Sequence, residues 1–111
     1  ISSGELTVKV KGKGQGGRCQ ELAWCMAKEL NQLKKEVSFI SFATDGNDFI
    51  PGVAGAWATN NTYKKIINKG INWRQILNDN NSNYGLQTIS QLIKDIKTSI
   101  NLCDLYVLFS D

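Results

Sequence analysis

The glycine-rich segment at residues 12–21, GKGQGGRCQE, has the residue types of an anion-binding site. Glycines let the backbone take up positive φ angles and let main-chain N–H groups approach a ligand closely. A helix that begins directly after such a loop adds free N–H groups and the positive end of its dipole. The guanidinium of Arg18 could then hold a phosphate or a carboxylate through a forked pair of hydrogen bonds. An ordinary glycine-rich turn is the alternative that this segment alone leaves open.

Two further clusters of polar side chains lie next to predicted strands. The segment TDGND at 44–48 follows one strand, and ligands of open α/β sheets gather at such carboxyl ends. Asp45 and Asp48 could hold Mg²⁺ through water or orient substrate hydroxyls, or the segment could form an Asx-turn. The segment TSIN at 98–101, followed by Asp104, precedes the last strand and could bind polar ligand atoms or form a turn.

Composition excludes several classes of protein. A chain of 111 residues that is 41% hydrophobic and 21% charged is expected to form one folded domain. The net charge of +3 is mild and its lysines are scattered, so we expect no nucleic-acid partner. The absence of histidine rules out Ser-His, Cys-His and His-metal chemistry, and three cysteines without a CxxC spacing argue against a disulfide framework or a zinc site.

Hydropathy gives no sign of a membrane protein. No apolar run approaches the roughly 18 residues that cross a bilayer, and no signal peptide is visible. We therefore expect no membrane partner and a cytoplasmic location. The chain begins at Ile1 without a Met, so an organellar targeting segment could precede it.

The elements that must position these clusters alternate between strands and helices. The sequence predicts strands at 5–11, 37–43, 52–58 and 105–109 and helices at 20–35, 62–68, 73–77 and 84–89, with 92–96 open to either. The nearly continuous apolar run at 37–43 is typical of a strand covered on both faces. The predicted fold is therefore an α/β three-layer sandwich with a mixed sheet flanked by helices. Trp24 is expected in the core and Asn72 as a helix N-cap.

In their order and spacing, these motifs resemble those of one family. The matching segments are GELTV at 4–8, GxGGRxQE at 14–21, TDGxD at 44–48, AGA at 54–56, LxxNxS at 77–82 and NxxDL at 101–105. The chain resembles the MOFRL domain, the C-terminal domain of glycerate kinases that are also described as hydroxypyruvate reductases. The resemblance implies that residues 1–111 form a single domain, the C-terminal part of a two-domain protein whose N-terminal α/β domain is its partner.

The resemblance also implies an activity and a set of site residues. Such enzymes transfer the γ-phosphoryl group of ATP to D-glycerate, with Mg²⁺, in the cleft between the two domains. Arg18 would be the catalytic anion clamp, and Glu21 would touch the substrate, cap the helix or orient Arg18. The substrate- or phosphate-binding residues would be Gly14, Gly16, Gly17, Glu21, Thr44, Asp45, Gly46, Asp48 and Asn101. The metal ligands stay open, with Asp45 and Asp48 as candidates that would hold Mg²⁺ through water.

Several positions depart from the family pattern. Cys19 replaces a usual Asn, Asn81 replaces an Asp, and Phe49 stands where glycine is common. The loop at 95–101 lacks both glycines of the corresponding family segment. These departures favour, as an alternative, a catalytically degenerate interaction or ligand-sensing module on the same fold. A hydroxypyruvate reductase-type oxidoreductase is the weaker alternative, because no acidic residue stands at a strand end about 20 positions after the glycine loop.

Overall fold

The computed structural model describes residues 2–4, 14–94 and 104–110. In chain order the elements are β1 (Ser2–Gly4), α1 (Arg18–Leu30), β2 (Val37–Ala43), β3 (Val53–Thr59), α2 (Thr62–Asn68), α3 (Trp73–Asn78), α4 (Ser82–Thr88), β4 (Leu92–Lys94) and β5 (Asp104–Ser110). The predicted strand at 5–11 and the loop at 95–101 lie outside the described residues.

The strands form one sheet in the order β1-β5-β2-β3-β4. In the centre of the sheet, Ser41 of β2 pairs with Tyr106 of β5 on one side and with Ala56 of β3 on the other. Helix α1 packs across β2 and β3, and the other three described helices contact α1. The predicted α/β class is confirmed. None of the helices in the described part of the chain has the length and apolar character that crossing a bilayer requires.

Two details of the predicted sheet differ. Every strand pair that the structure describes is antiparallel, whereas a mixed sheet was predicted. The loop at 44–52 is too short for the crossover that parallel neighbours require, so β2 and β3 form a hairpin. Strand β2 also alternates: residues 37, 39, 41 and 43 are buried and 38, 40 and 42 are half-buried. The hydrophobic core joins Val37 and Phe39 to residues of all four described helices, so these helices form one layer on one face of the sheet. The second helical layer of the predicted three-layer sandwich is not found in residues 14–94 and 104–110.

A reciprocal pair of tryptophans fixes the helices to one another. The Nε1 of Trp24 donates to the main-chain oxygen of Trp73 at 3.2 Å, and the Nε1 of Trp73 donates to that of Trp24 at 2.9 Å. Trp24 is completely buried, which confirms its predicted place in the core. Both indole N–H groups are thus satisfied inside an apolar cluster, as buried tryptophans require.

The boundaries of α1 differ from the prediction at both ends. The helix begins at Arg18, two residues before the predicted start, and ends at Leu30, five residues before the predicted end. Leu33, which continues the apolar spacing, is 42% exposed and lies beyond the helix. The helix therefore carries Arg18 at its first position, directly after the glycine loop.

Replacing Gly85 with alanine is expected to destabilise the domain by about 1–3 kcal/mol, because its Cβ would overpack the core. That atom would lie 2.5 Å from Cη2 and 2.6 Å from Cζ3 of Trp24. In an exposed helix the same change is stabilising by about 1 kcal/mol. Urea unfolding of Gly85→Ala measures the effect, with Gln87→Ala on the exposed side of the same helix as the control. A gain in stability for Gly85→Ala would contradict this packing.

Candidate functional site

Asp48 caps the N-terminus of α1 from the loop between β2 and β3. Its side chain is completely buried. Oδ1 accepts a hydrogen bond from the main-chain N–H of Cys19 at 3.0 Å, and Oδ2 accepts one from that of Gln20 at 2.8 Å. The Nε2 of Gln20 donates to the main-chain oxygen of Asp48 at 2.9 Å. Two of the first-turn amides that could bind an external anion are therefore occupied by a carboxylate of the chain itself.

The position of Asp48 has an electrostatic cost. Burial raises the pKa of its carboxyl group, and the N–H groups of Cys19 and Gln20 and the charge of Arg18 oppose that shift. A buried carboxylate with this many donors is characteristic of a cap that ties two elements together. Asp48 thus joins the β2–β3 hairpin to the start of α1.

The three described glycines of the predicted anion loop make room for protein atoms. A Cβ on Gly17 would lie 2.3 Å from the main-chain oxygen of Asp48 and 2.5 Å from its Oδ1. A Cβ on Gly16 would lie 2.3 Å from Oγ of Ser82, and one on Gly14 would lie 2.3 Å from Cβ of Asn81. The backbone at these glycines closely approaches the hairpin loop and the start of α4. The predicted approach to an anionic ligand stays a prediction.

Main-chain hydrogen bonds dock this loop onto the connection between α3 and α4. The N–H of Gly14 donates to the main-chain oxygen of Asp79 at 2.8 Å, and the N–H of Asn83 donates to that of Gln15 at 2.9 Å. The N–H of Gln15 donates to Oδ1 of Asn81 at 3.1 Å. The asparagine-rich segment therefore anchors the glycine loop, a role that sequence reasoning missed.

Glu21 takes part in the same anchoring. Its Oε1 accepts a hydrogen bond from Nδ2 of Asn80 at 2.8 Å, and burial raises the pKa of its carboxyl group. At the neighbouring residue of α1, Oε1 of Gln20 accepts a hydrogen bond from Nδ2 of Asn83 at 2.9 Å. Among the interpretations open for Glu21, this contact favours a structural role at the surface where α1 meets the α3–α4 connection.

Arg18 forms a two-point ion pair with Asp104, the first residue of β5. Its Nε donates to Oδ2, and its Nη2 donates to Oδ1 at 2.8 Å. The side chain of Asp104 is 1% exposed and that of Arg18 is 33% exposed. The hydrogen bonds to Asp104 raise the pKa of the guanidinium group, so Arg18 is charged at any physiological pH. The Nη1 amino group takes no part in this pair.

Tyr106 completes the cluster around the carboxylate. Its hydroxyl donates to Oδ2 of Asp104 at 3.4 Å, a long hydrogen bond. Burial and the nearby carboxylate raise the pKa of Tyr106 to about 12. The sequence analysis placed Asp104 in a polar cluster before the last strand. Nothing in the sequence indicated that Asp104 pairs with Arg18, which is 86 residues away.

The side chains of Asp45 and Asp48 do not share a site, because Asp48 is buried against α1 and Asp45 is exposed. Asp45 is exposed, and its Oδ1 accepts a hydrogen bond from the main-chain N–H of Asn47 at 2.9 Å, which is the Asx-turn that the sequence left as an alternative. Gly46 has φ 85°, a left-handed conformation that suits glycine, and Thr44 is buried. Asn101, the remaining predicted site residue, lies outside the described residues.

The donor set does not suit a magnesium site in this part of the molecule. The described residues contain no group of three or more acidic, cysteine or histidine side chains that could hold a metal ion. Of the two candidates, Asp48 is buried with both carboxylate oxygens accepting hydrogen bonds from α1. Asp45 alone would give a single exposed carboxylate.

Cys19, one of the departures from the family pattern, is a core residue. It is completely buried, and burial together with the charge of Asp48 raises the pKa of its thiol. A thiol of this kind stays protonated and unreactive at neutral pH. We therefore assign Cys19 no chemical role.

Phe49 adopts a backbone conformation that favours glycine. Its φ is 68° and its side chain is 80% exposed. Burial of the ring therefore contributes little free energy to offset the backbone strain. A left-handed conformation costs an L-residue about 1–2 kcal/mol. Phe49→Gly is therefore expected to stabilise the domain by about 0.5–1 kcal/mol in urea unfolding, after the entropic cost of glycine. Phe49→Ala, which keeps the strain, should give no gain; equal stabilisation by both variants would show that the strain is absent.

Comparisons with known proteins agree with the motifs. The sequence matches the MOFRL family over residues 1–104. It is 32% identical over 108 residues to a glycerate 2-kinase of Pyrococcus horikoshii, covering 96% of this chain and 24% of that protein. It is 34% identical over 115 residues to the human glycerate kinase, covering 98% of this chain and 22% of that protein. The chain therefore spans about a quarter of the length of these relatives.

Solved structures show the same likeness. The crystal structure of a glycerate kinase from Thermotoga maritima superimposes with a TM-score of 0.90 at 34% sequence identity, covering 97% of this chain and 26% of that one. A second structure, from Pyrococcus horikoshii, gives a TM-score of 0.81 at 30% identity. The chain belongs to the MOFRL family, whose domain is the C-terminal domain of glycerate kinases.

Proposed function

We propose that this chain is one domain of a larger glycerate kinase, and that ATP-dependent phosphorylation of D-glycerate takes place where it meets an N-terminal α/β domain. The observation that carries the proposal is the arrangement of Arg18: its guanidinium is fixed by a buried carboxylate, a third of its side chain is exposed, and Nη1 forms no hydrogen bond to another residue in the described part of the chain. The relatives, which are glycerate kinases, suggest the reaction and the substrate.

Arg18 has the properties that phosphoryl transfer requires of a protein group. Such reactions depend mainly on positioning and on neutralisation of negative charge. The free edge of the guanidinium can bind either the carboxylate of D-glycerate or the transferring phosphoryl group. Among the described residues, the main-chain N–H groups of Gly16, Gly17 and Arg18 have no hydrogen-bond acceptor. These N–H groups immediately precede or begin α1 and can contribute to an anion site.

The charge of the cluster supports a site that is completed by another domain. Arg18 pairs with Asp104 and interacts electrostatically with Asp48, so the negative charges of two carboxylates act on one guanidinium. Such a cluster cannot hold a polyphosphate unaided, because its formal charges do not favour a polyanion. Additional positive charge must then come from the partner domain or from Mg²⁺, for which the described residues offer no ligand set.

ATP would supply the phosphoryl group, and the role of this chain is confined to binding and orientation. Arg18 would hold the anion, while Asp48 and the docked glycine loop keep the start of α1 in place. We expect the metal ligands on the phosphates and on the partner domain.

The full-length protein that contains this chain tests the proposal. We expect ADP formation that depends on D-glycerate, followed by coupled spectrophotometry, and no oxidation of NADH or NADPH with hydroxypyruvate. The 111-residue chain alone should form no ADP. Absence of glycerate-dependent ADP formation in the full-length protein would reject the kinase and favour the ligand-sensing module. Nicotinamide oxidation with hydroxypyruvate would favour the oxidoreductase.

A further inference from the structure

Arg18 occupies a position that helix stability does not explain. It is the first residue of α1, where the positive end of the helix dipole disfavours a cation. Asp48 already satisfies the next two main-chain N–H groups. The helix dipole therefore disfavours the positive charge of the Arg18 guanidinium. A negatively charged group is needed nearby to compensate for this cost.

Asp104 is that compensating group, and its own position is fixed by the sheet. Its backbone pairs with Ala43 of β2 on one side and with Gly4 of β1 on the other. Its side chain is buried and accepts from both Nε and Nη2 of Arg18. This fork fixes the plane of the guanidinium as well as its position, which a single hydrogen bond could not do.

Tyr106 supports the carboxylate from the same strand. It lies two residues along β5, so its side chain is on the same face as that of Asp104. Its hydroxyl is 3.4 Å from Oδ2 and is protonated at neutral pH, so it acts as a donor. Arg18 on α1 and Tyr106 on β5 thus both donate hydrogen bonds to the carboxylate of Asp104 and orient it.

We infer that Asp104 is a positioning residue for the phosphoryl-transfer site: it holds the guanidinium of Arg18 with the Nη1 edge turned to the substrate anion, and Tyr106 steadies it. The inference rests on the proposed function, since it names the residue that orients the proposed anion clamp. A purely structural ion pair would tie α1 to β5 without affecting how the free edge meets a ligand.

The test uses guanidinium rescue in the full-length protein. Arg18→Ala should lose most of its kinase activity and regain about tenfold when guanidinium chloride is added at non-denaturing concentration, because the carboxylate of Asp104 provides a ready site for the ion. Rescue should be absent in the double variant Arg18→Ala/Asp104→Asn. Asp104→Asn alone should lower kcat by about 10–100-fold with a smaller change in KM.

The outcomes separate this inference from the proposed function. If Arg18→Ala retains full activity, the anion clamp itself is wrong. If Arg18→Ala is impaired while Asp104→Asn equals the wild type, the clamp stands and the positioning role is overturned. Rescue that is equal in the single and double variants would also overturn it, because the ion would then bind without the carboxylate.

A spectroscopic measurement covers variants that are inactive for other reasons. In ¹⁵N-labelled wild-type protein, the Nε–H resonance of Arg18 should exchange slowly with water because Asp104 accepts from it. Asp104→Asn should abolish this protection while the amide spectrum of the core is kept. Fast exchange at Arg18 in the wild type would overturn the inference whatever the activity.

Discussion

Replacing Asp48 with alanine is expected to lower the free energy of unfolding by about 2–4 kcal/mol. The change leaves the N–H groups of Cys19 and Gln20 buried without their acceptor, and it removes an acceptor of the Gln20 side chain. It also detaches the β2–β3 hairpin from the start of α1. The raised pKa of Asp48 moderates the loss, since the variant no longer buries a charge. Urea unfolding of both proteins measures the difference.

Asp45→Ala is the matched control, because it removes a carboxylate three positions away from an exposed turn. We expect a loss below about 1 kcal/mol, typical of a surface hydrogen bond. Asp48→Asn should fall between the two, because its amide nitrogen would face one of the N–H donors. Equal losses for Asp45→Ala and Asp48→Ala would show that Asp48 does not cap α1.

Replacing Arg18 with alanine is expected to lower kcat/KM for D-glycerate by about 10²–10³-fold in the full-length enzyme. The change removes the guanidinium that we propose as the anion clamp. Arg18→Lys should keep more activity than Arg18→Ala but less than the wild type. A lysine ammonium cannot form a bidentate pair with Asp104 and at the same time present a second edge of N–H donors to a ligand. Steady-state kinetics of the three proteins measure the effect.

Arg74→Ala is the control for Arg18→Ala. The guanidinium of Arg74 lies 5.0 Å from the centre of the Trp73 ring, on α3, and takes no part in the cluster at Asp104. We expect its kinetics to match those of the wild type. If Arg74→Ala and Arg18→Ala lower activity equally, general loss of positive charge explains the effect and the clamp at Arg18 is contradicted.

The parts of the fold that local sequence determines were predicted well. Strand β2 and helix α2 have the predicted bounds, because alternation and helical spacing are properties of a few neighbouring residues. Asn72 caps α3 as predicted, with Oδ1 accepting from the N–H of Gln75 at 3.0 Å. The end of α1 was placed too late, because the apolar spacing continues to Leu33 although the helix ends at Leu30.

The candidate site was predicted only where a motif marks it. The family motifs identified Arg18 and the two aspartates, but their partners depend on contacts between distant segments. Spacing alone could not show that Asp48 turns inward to cap α1 while Asp45 stays exposed. Nor could it show that the carboxylate paired with Arg18 comes from Asp104, on a strand that joins the sheet 86 residues later.

The neighbours of the glycine loop could not be predicted from the sequence either. Glycine signals close backbone approach, but the sequence does not say what approaches. In the structure the neighbours of Gly14, Gly16 and Gly17 are protein atoms of the hairpin loop and of the start of α4. The loop therefore packs against the rest of the domain and leads into Arg18 at the start of α1.

The most direct measurement is a crystal structure of the full-length protein with D-glycerate and a non-hydrolysable ATP analogue. We expect Nη1 of Arg18 to lie about 2.7–2.9 Å from a carboxylate or phosphate oxygen. Nε and Nη2 should still pair with Asp104. A complex in which both ligands are bound and no ligand oxygen lies within hydrogen-bond distance of Arg18 would contradict the account.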